Sequence, residues 1–260
     1  MSRMEEWRLL NIEVPELAAM NLAIDEAVFV AKIEGAVPTT LRFWRNKGAV
    51  VLGRFQNVAA EVDLDLCRER GIQVVRRFSG GGAVYHDLGN LNYSIAIEKT
   101  HPLLNGLDIV GTFRVFSFGV TEGLRKFGLE TVFDPPSDLL VGDKKVSGNA
   151  QSRRKGIIFH HGTLLVHADL DMLTRALNAP EEKAKTENNG VSSRKRPVMN
   201  VWDAIGRRIG IDQVKEALQQ GFEKAFGMKL VQSMLTLKEK ETAERLYANK
   251  YSKGEWNFWR

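Results

Sequence analysis

The sequence predicts an α/β protein of the α+β type, a mixed and largely antiparallel β-sheet with helices on its faces. Three observations lead there. Segments with strand-like alternation and segments with helical spacing are both present, but without a regular β-α-β order, which argues against an all-parallel sheet. The 260 residues are 43% hydrophobic and 27% charged, enough apolar material for a packed core. No linker, internal repeat or low-complexity tract divides the chain, so residues 1–260 are expected to form one domain.

The elements follow in order. Residues 17–34 carry Leu17, Met20, Ala23, Ile24, Ala27, Val28 and Ala31 at helical spacing, and Gly35 stops the helix. "TTLRFWR" (39–45) and "AVVLG" (49–53) are strand-like around a short turn at Asn46 to Gly48. "LDLCRERG" reads as a short helix capped by Asp63, and "IQVVRR" as a strand running into three consecutive glycines. Beyond them, 91–97 is a strand and 108–127 a long helix closed by Gly128. Residues 138–148 suggest a hairpin turning at Gly142-Asp143, and 156–167 a long strand. Helices at 169–178, 211–226 and 237–249 complete the pattern. The segment 179–198 is highly polar with no apolar periodicity and is expected to be a mobile loop of the kind that covers sites.

Composition excludes several classes. No apolar run approaches the ~20 residues a membrane span needs. The N-terminus has no apolar secretory core. The single cysteine, Cys67, precludes an intrachain disulfide and fits a reducing interior, so the expected address is the cytoplasm. The net charge of +5 is spread along the chain apart from "QSRRK" (151–155) and "SRKRP" (193–197), and nucleic acid is not an expected partner.

Three stretches carry the residues suited to chemistry. "VVRRFSGGGAVYHD" (74–87) sets Arg76, Arg77 and His86 around Gly80, Gly81 and Gly82. Cations and donors beside accessible backbone suit an anionic group. The loop is neither a Walker loop, lacking Gly-Lys-Ser/Thr, nor a dinucleotide fingerprint. "VGDKKVSGNAQ" (141–151) puts a lysine just past a tight turn, a point charge for carboxylate or phosphate. "FHHGTLL" (159–165) has adjacent histidines, which on a strand point to opposite faces. One imidazole is therefore expected to face a ligand and the other to pack, and a zinc site is not expected. Cys67 repeats with the apolar face of its helix, where a buried thiol is inert. Cations and glycines without a nucleophile suit electrostatic catalysis on anionic substrates.

Taken together, these stretches resemble the lipoate–protein ligase family. The matching segments are "MNLAIDEA" (20–27), "LRFWR" (41–45), "VVLGRFQN" (50–57), "VVRRFSGGGAVYHDLGNLNYSI" (74–95), "KKVSGNAQ" (144–151), "HHGTLL" (160–165) and "EWN" (255–257). The resemblance implies the fold shared with biotin–protein ligases and a reaction in two halves. Lipoate and Mg-ATP give lipoyl-adenylate and pyrophosphate, and the lipoyl group then passes to a lysine of an acceptor domain. The implied acceptors are 2-oxoacid dehydrogenase complexes and the glycine cleavage H protein.

The resemblance also implies roles. Lys145 would hold the lipoate carboxylate and the α-phosphate together. The ATP and lipoyl-adenylate pocket would be formed by Arg76 or Arg77 with Ser79, Gly80, Gly81, Gly82, Ala83, Val84, Tyr85 and His86. Ser147, Gly148, Asn149 and Ala150 would continue it, with His161, Gly162 and Thr163 at the edge of the adenylate. Asp138 would contact Mg²⁺, and 179–198 would cover the adenylate. Bacterial members usually carry a C-terminal accessory domain that this sequence lacks, so a separate small accessory protein is an expected partner. Pro197 departs from the family's Arg-Val in "SSRKRPVMN".

The nearest rival is octanoyltransferase, which carries the acyl group on a cysteine shortly before the "SD" of 137–138. Here that stretch reads "TVFDPPSD", with no cysteine. The Gly-Arg-Gly-Arg-type loop of biotin–protein ligases is likewise absent. A non-catalytic nucleic-acid-binding or regulatory protein is the alternative from a different class.

Overall fold

The computed structural model describes residues 4–178 and 196–260. Its strands are β1 (Glu6–Asn11), β2 (Thr40–Trp44), β3 (Gly48–Leu52), β4 (Gln73–Arg76), β5 (Val84–Asp87) and β6 (Asn90–Glu98). They continue with β7 (Val132–Asp134), β8 (Asp138–Val141), β9 (Lys144–Arg154), β10 (Ile157–Leu165) and β11 (Lys229–Gln232). The helices are α1 (Ala18–Ile33), α2 (Val58–Glu61), α3 (Leu64–Glu69), α4 (Ile109–Arg125) and α5 (Leu170–Ala176). After them come α6 (Val201–Ile205), α7 (Ile211–Phe226), α8 (Leu237–Leu246) and α9 (Gly254–Asn257).

An eight-stranded sheet runs β11-β1-β2-β6-β10-β9-β8-β7, and a three-stranded sheet runs β4-β3-β5. In the large sheet only the β1 pairings are parallel, as the mixed pattern led us to expect. Side-chain alternation assigns its two faces. Leu91, Tyr93, Ile95 and Ile97 of β6 pack with Phe116 of α4 and Phe222 of α7, whereas Ala96 packs with α1 on the other face. The helices α4 and α7 approach very closely. A methyl at Gly119 would stand 2.1 Å from the Phe222 ring, and one at Gly221 would stand 2.3 Å from the Gly123 nitrogen.

Most expected elements are present, with Asp63, Asp108 and Asp169 capping α3, α4 and α5 through their carboxylates. Two differences matter for the site. First, β2 and β3 do not pair across their short turn; β2 joins the large sheet and β3 the small one. The short connection therefore steps between layers. Second, the helix expected at 237–249 ends as α8 at Leu246 and continues as a wider π-helical turn, Tyr247–Tyr251. Here the Tyr251 hydroxyl and Lys250 both reach Glu26 of α1. Strands β1, β5, β7 and β11 were not anticipated from the sequence. The expected loop 179–198 lies outside the described residues except for its last three positions.

Candidate active site

A cavity of about 310 Å³ lies between the α1 face of the large sheet and the small sheet. Leu22, Trp44, Val51, Phe78 and Phe159 form its apolar wall, and Lys145, Asp138 and Arg196 stand among its polar lining. A second cavity of about 160 Å³ adjoins it, lined by Tyr85, Asn90, Ser147, Leu165, Leu173 and Leu177. Ala83, Val84, Lys145, Gly148, Thr163 and Arg196 line both. Lys145 therefore stands where the two cavities meet.

A β-bulge accounts for that position. The register between β8 and β9 slips between Leu139 and Leu140, where Leu139 faces Ser147 but Leu140 faces Lys145. On a regular strand, residues three apart face opposite sides; the extra residue of a bulge lifts that rule. The Lys145 side chain thus folds over Gly148, where an added Cβ would meet Nζ at 2.6 Å. Nζ is held 2.9 Å from Asp138 Oδ1, and the side chain remains 27% exposed.

The glycine loop is built around Arg77. Arg77 lines the cavity, but its guanidinium is wrapped by the loop itself. Nη2 donates to the carbonyls of Gly80 (2.6 Å) and Gly82 (2.8 Å), and Nη1 to that of Val51 (3.1 Å). Arg76 faces away from both cavities and donates to the carbonyls of Gly53 (2.9 Å) and Gln56 (2.7 Å). Asn257 and Trp256, in the "EWN" tripeptide, brace the Arg76 backbone at 2.9 and 2.8 Å. Arg77 thus satisfies carbonyls of the glycine loop and Arg76 those around residues 53–56, and of the two arginines Arg77 is the one that lines the cavity, as strand alternation led us to expect of one of them. Gly53 is required in turn, because a Cβ there would stand 1.9 Å from the Gly81 oxygen.

The histidines separate as strand alternation demands. His160 packs against Phe116, with ring centroids 4.6 Å apart, on the α4 face. His161 lines the cavity, and its Nε2 lies 2.6 Å from Ser79 Oγ. Burial, reinforced by Arg77, pushes His161 well below its ordinary value. Burial and Arg77 also push His86 down to about 3. Its Nδ1 accepts from the Asn46 amide at 3.2 Å, so the ring proton belongs on Nε2. Neutral imidazoles leave the positive charge of the cavity to Lys145 and the arginines.

Of the residues named from the sequence, Ser79, Gly81, Gly82, Ala83, Val84, His86, Asp138, Gly148, Asn149, Ala150, Gly162 and Thr163 line the larger cavity. Tyr85 and Ser147 face the smaller one instead, and Gly80 lines neither. Gly162 leaves room for neighbours, since a Cβ there would meet Asn149 Oδ1 at 2.1 Å and the Tyr93 hydroxyl at 2.6 Å. Sequence reasoning assigned no role to Leu22, Asp25, Trp44, Phe78, Asp134 or Arg196. Several fall inside the quoted stretches "MNLAIDEA" and "LRFWR", but only the fold turns them toward one cavity.

Cys67 is buried on α3, packed with Val50, Leu52 and Val58, and lines neither cavity; burial pushes its thiol up. Among the described residues no three His, Cys, Asp or Glu side chains gather as a metal site. The Asp138 carboxylate, expected to contact Mg²⁺, is engaged by Lys145. The donor set therefore does not fit a cation held by the protein alone.

Residues 18–223 match the family model of the lipoyl protein ligase A/B catalytic domain. The chain belongs to that family. It is 38% identical to lipoate-protein ligase A subunit 1 of Thermoplasma acidophilum, over 97% of this chain and 96% of that one. It is also 35% identical to the octanoyltransferase LipM of Kyrpidia tusciae, over 98% of this chain and 99% of that one. It aligns with a bi-partite lipoate protein ligase of Thermoplasma acidophilum, described with its E2 lipoyl domain, at a TM-score of 0.84. That match has 36% identity and covers 98% of this chain and 97% of the other. A lipoate-protein ligase A bound with ATP aligns at 0.83, with 36% identity over 97% and 98% of the two chains. Within the family, ligases and octanoyltransferases are both near relatives, and similarity alone does not separate them.

Proposed function

We propose that the chain is an ATP-dependent lipoate–protein ligase rather than an octanoyltransferase acting through a thioester. The carrying observation is the position of the chain's single thiol: Cys67 is buried away from both cavities, so neither holds a cysteine that could carry an acyl group. The stretch shortly before the "SD" of 137–138, where octanoyltransferases of this pattern place their cysteine, holds none here, and its Asp134, Pro135 and Pro136 line the cavity. Activation by a nucleotide replaces the missing nucleophile.

The two cavities suit the two substrates. The acyl chain lies along Leu22, Trp44, Phe78 and Phe159, and the nucleotide base enters the smaller cavity beside Tyr85. There Asn90 Oδ1 is buried without a hydrogen-bond partner among the described residues, ready for a base's polar edge. Lys145, common to both, brings the carboxylate and the α-phosphate together against their repulsion. A carboxylate oxygen attacks the α-phosphorus, and pyrophosphate leaves with the electron pair of the broken P–O bond. Mg²⁺ enters as the counter-ion of the ATP substrate and neutralises its triphosphate.

In the second half-reaction the amine of an acceptor lysine attacks the activated carbonyl and AMP departs. With an ordinary pKa near 10.4, that amine loses its proton at pH 7 at a cost of about 4–5 kcal/mol, which positioning beside Lys145 must offset. Lipoyl domains of 2-oxoacid dehydrogenase complexes and glycine cleavage H protein are the acceptor class. A separate accessory subunit is a partner, in keeping with the bi-partite relative. The reading places the reaction in the cytoplasm.

The test incubates the chain with lipoate, Mg-ATP and an acceptor domain, with and without a candidate accessory subunit. The expected product is the lipoylated acceptor, formed only with ATP and more fully with the accessory subunit. ATP-independent transfer from an octanoylated carrier protein would overturn the proposal.

A further inference from the structure

Arg196 precedes a segment that is locked in register to Lys145. The Lys145 backbone nitrogen donates to the Pro197 carbonyl at 2.9 Å, and the Met199 nitrogen donates to the Lys145 carbonyl at 3.0 Å. Val198 and Lys145 form a parallel bridge. The basic "SRKRP" cluster therefore delivers its last arginine beside the site, a placement that charge counting along the sequence could not reveal.

Its side chain takes part in a row of alternating charges. Arg196 Nη1 is 2.5 Å from Asp134 Oδ2 and 3.6 Å from Asp138 Oδ2. The other oxygen of Asp138 holds Lys145 Nζ at 2.9 Å. Two carboxylates and two cations cancel, so at rest the row offers an incoming anion almost no net attraction. Yet Nη1 has no aligned hydrogen bond among the described residues, which makes its contact with the carboxylates one of charge alone. The Arg196 and Asp134 side chains are each about one-third exposed, at 33% and 32%, although Nη1 itself is buried in the contact. Arg196 also lines both cavities, as Lys145 does.

We infer that Arg196 is a second catalytic cation, which leaves Asp134 and Asp138 to bind the nucleotide's phosphates during acyl activation. The inference rests on the ATP-dependent reading above. A lipoate carboxylate and the triphosphate of Mg-ATP together still bring roughly three negative charges, and Lys145 supplies one positive charge. The guanidinium fork matches two phosphate oxygens at once and stabilises the charge that builds on pyrophosphate as the α-phosphorus to bridging-oxygen bond breaks. Asp134 then acts as a brake that holds Arg196 while no nucleotide is bound.

A merely structural tie makes a different prediction. If the row only fastened the segment to the sheet, Arg196→Ala and Asp134→Asn would break the same tie and impair the enzyme alike. A catalytic Arg196 moves the two variants in opposite directions. The experiment measures lipoate-dependent ATP–pyrophosphate exchange for wild type, Arg196→Ala, Arg196→Lys and Asp134→Asn, with the accessory subunit present. Lipoate binding without ATP is followed by calorimetry in parallel.

The expected result is a fall of about 100-fold in kcat/KM for ATP in Arg196→Ala, a smaller fall in Arg196→Lys, and a lower KM for ATP in Asp134→Asn. Lipoate affinity should stay within about threefold in each variant, since an ATP-free site leaves Arg196 on its carboxylates. Exchange by Arg196→Ala within about threefold of wild type overturns the inference, as does a parallel loss in Asp134→Asn; both leave the ligase reading standing. Absence of exchange in the wild type removes that reading and the inference with it.

Discussion

Ser79 Oγ lies 2.6 Å from Nε2 of His161, and this contact ties the glycine loop after β4 to strand β10 of the large sheet. The two sheets share the cavity, so the contact sets the distance between its walls. Burial keeps the imidazole neutral, which lets Nε2 accept from the serine hydroxyl. Replacing Ser79 leaves the buried His161 imidazole without this partner, whereas replacing His161 leaves Ser79 Oγ with only the hydrogen bond it accepts from Arg77 Nε at 3.2 Å.

A double-mutant cycle with Ser79→Ala and His161→Phe should therefore show coupling of about 1–2 kcal/mol in lipoate affinity, read by calorimetry. Each single variant is expected to lose about as much affinity as the double. Strictly additive losses would show that the contact does not organise the cavity.

Lys145→Ala should lower adenylate formation by about 10²–10³-fold, because a cation aimed at developing charge acts in a partly dry site. Its ammonium is only partly buried, so the melting temperature should move by no more than a few degrees. Lys145→Arg is not expected to restore activity, since a planar fork cannot fold over Gly148 as the narrow lysine tip does. Pyrophosphate exchange and a thermal melt on the same samples separate chemistry from folding.

Arg76 makes the opposite prediction. It is fully buried and donates to carbonyls of Gly53, Arg54, Gln56, Trp256 and Asn257. Arg76→Met strands those acceptors and should cost about 3 kcal/mol or more, lowering the melting temperature by roughly 6–12 °C. An unchanged melting temperature with selective loss of ATP binding would return Arg76 to the role of an anion grip.

Stability should depend on pH through the buried histidines. His86 and His160 are both pushed down to about 3 by burial, and His161 is also lowered. In the unfolded chain such imidazoles take up a proton below about pH 6.5, whereas the folded chain holds them neutral. The unfolded state then binds more protons throughout this window. Stability present at pH 7.5 should be lost as pH falls from 6.5 toward 3, by up to about 1.4 kcal/mol per pH unit for each histidine. Urea midpoints between pH 7.5 and 5 check this, and His160→Gln should flatten the slope. A midpoint that rises on acidification would contradict it.

Much of the fold was legible because local physics agreed with it. Helical spacing marked α1, α4 and α7, aspartates marked three helix starts, and Gly142-Asp143 marked the β8–β9 turn, where Gly142 has φ +61°. The parity of His160 and His161 also followed from strand geometry alone. What local pattern could not supply was pairing. Nothing in "LRFWRNKGAVVLG" indicates that its two strands enter different sheets, because partners are chosen by distant surfaces.

The sequence by itself determined the inventory: a mixed sheet with helices, a glycine loop, a lysine past a turn, one cysteine, and the motifs of a lipoyl ligase. Tertiary structure decided what each group is free to do. It enclosed Arg76 and Arg77 in backbone carbonyls, buried Cys67 away from the cavities, and set Lys145 over Gly148 at their junction. It also brought Arg196 to Asp134 and Asp138, residues about sixty positions away. The physical reason is that a charge acts through its neighbours in space, and burial alone fixes whether a donor meets a ligand or the protein's own backbone.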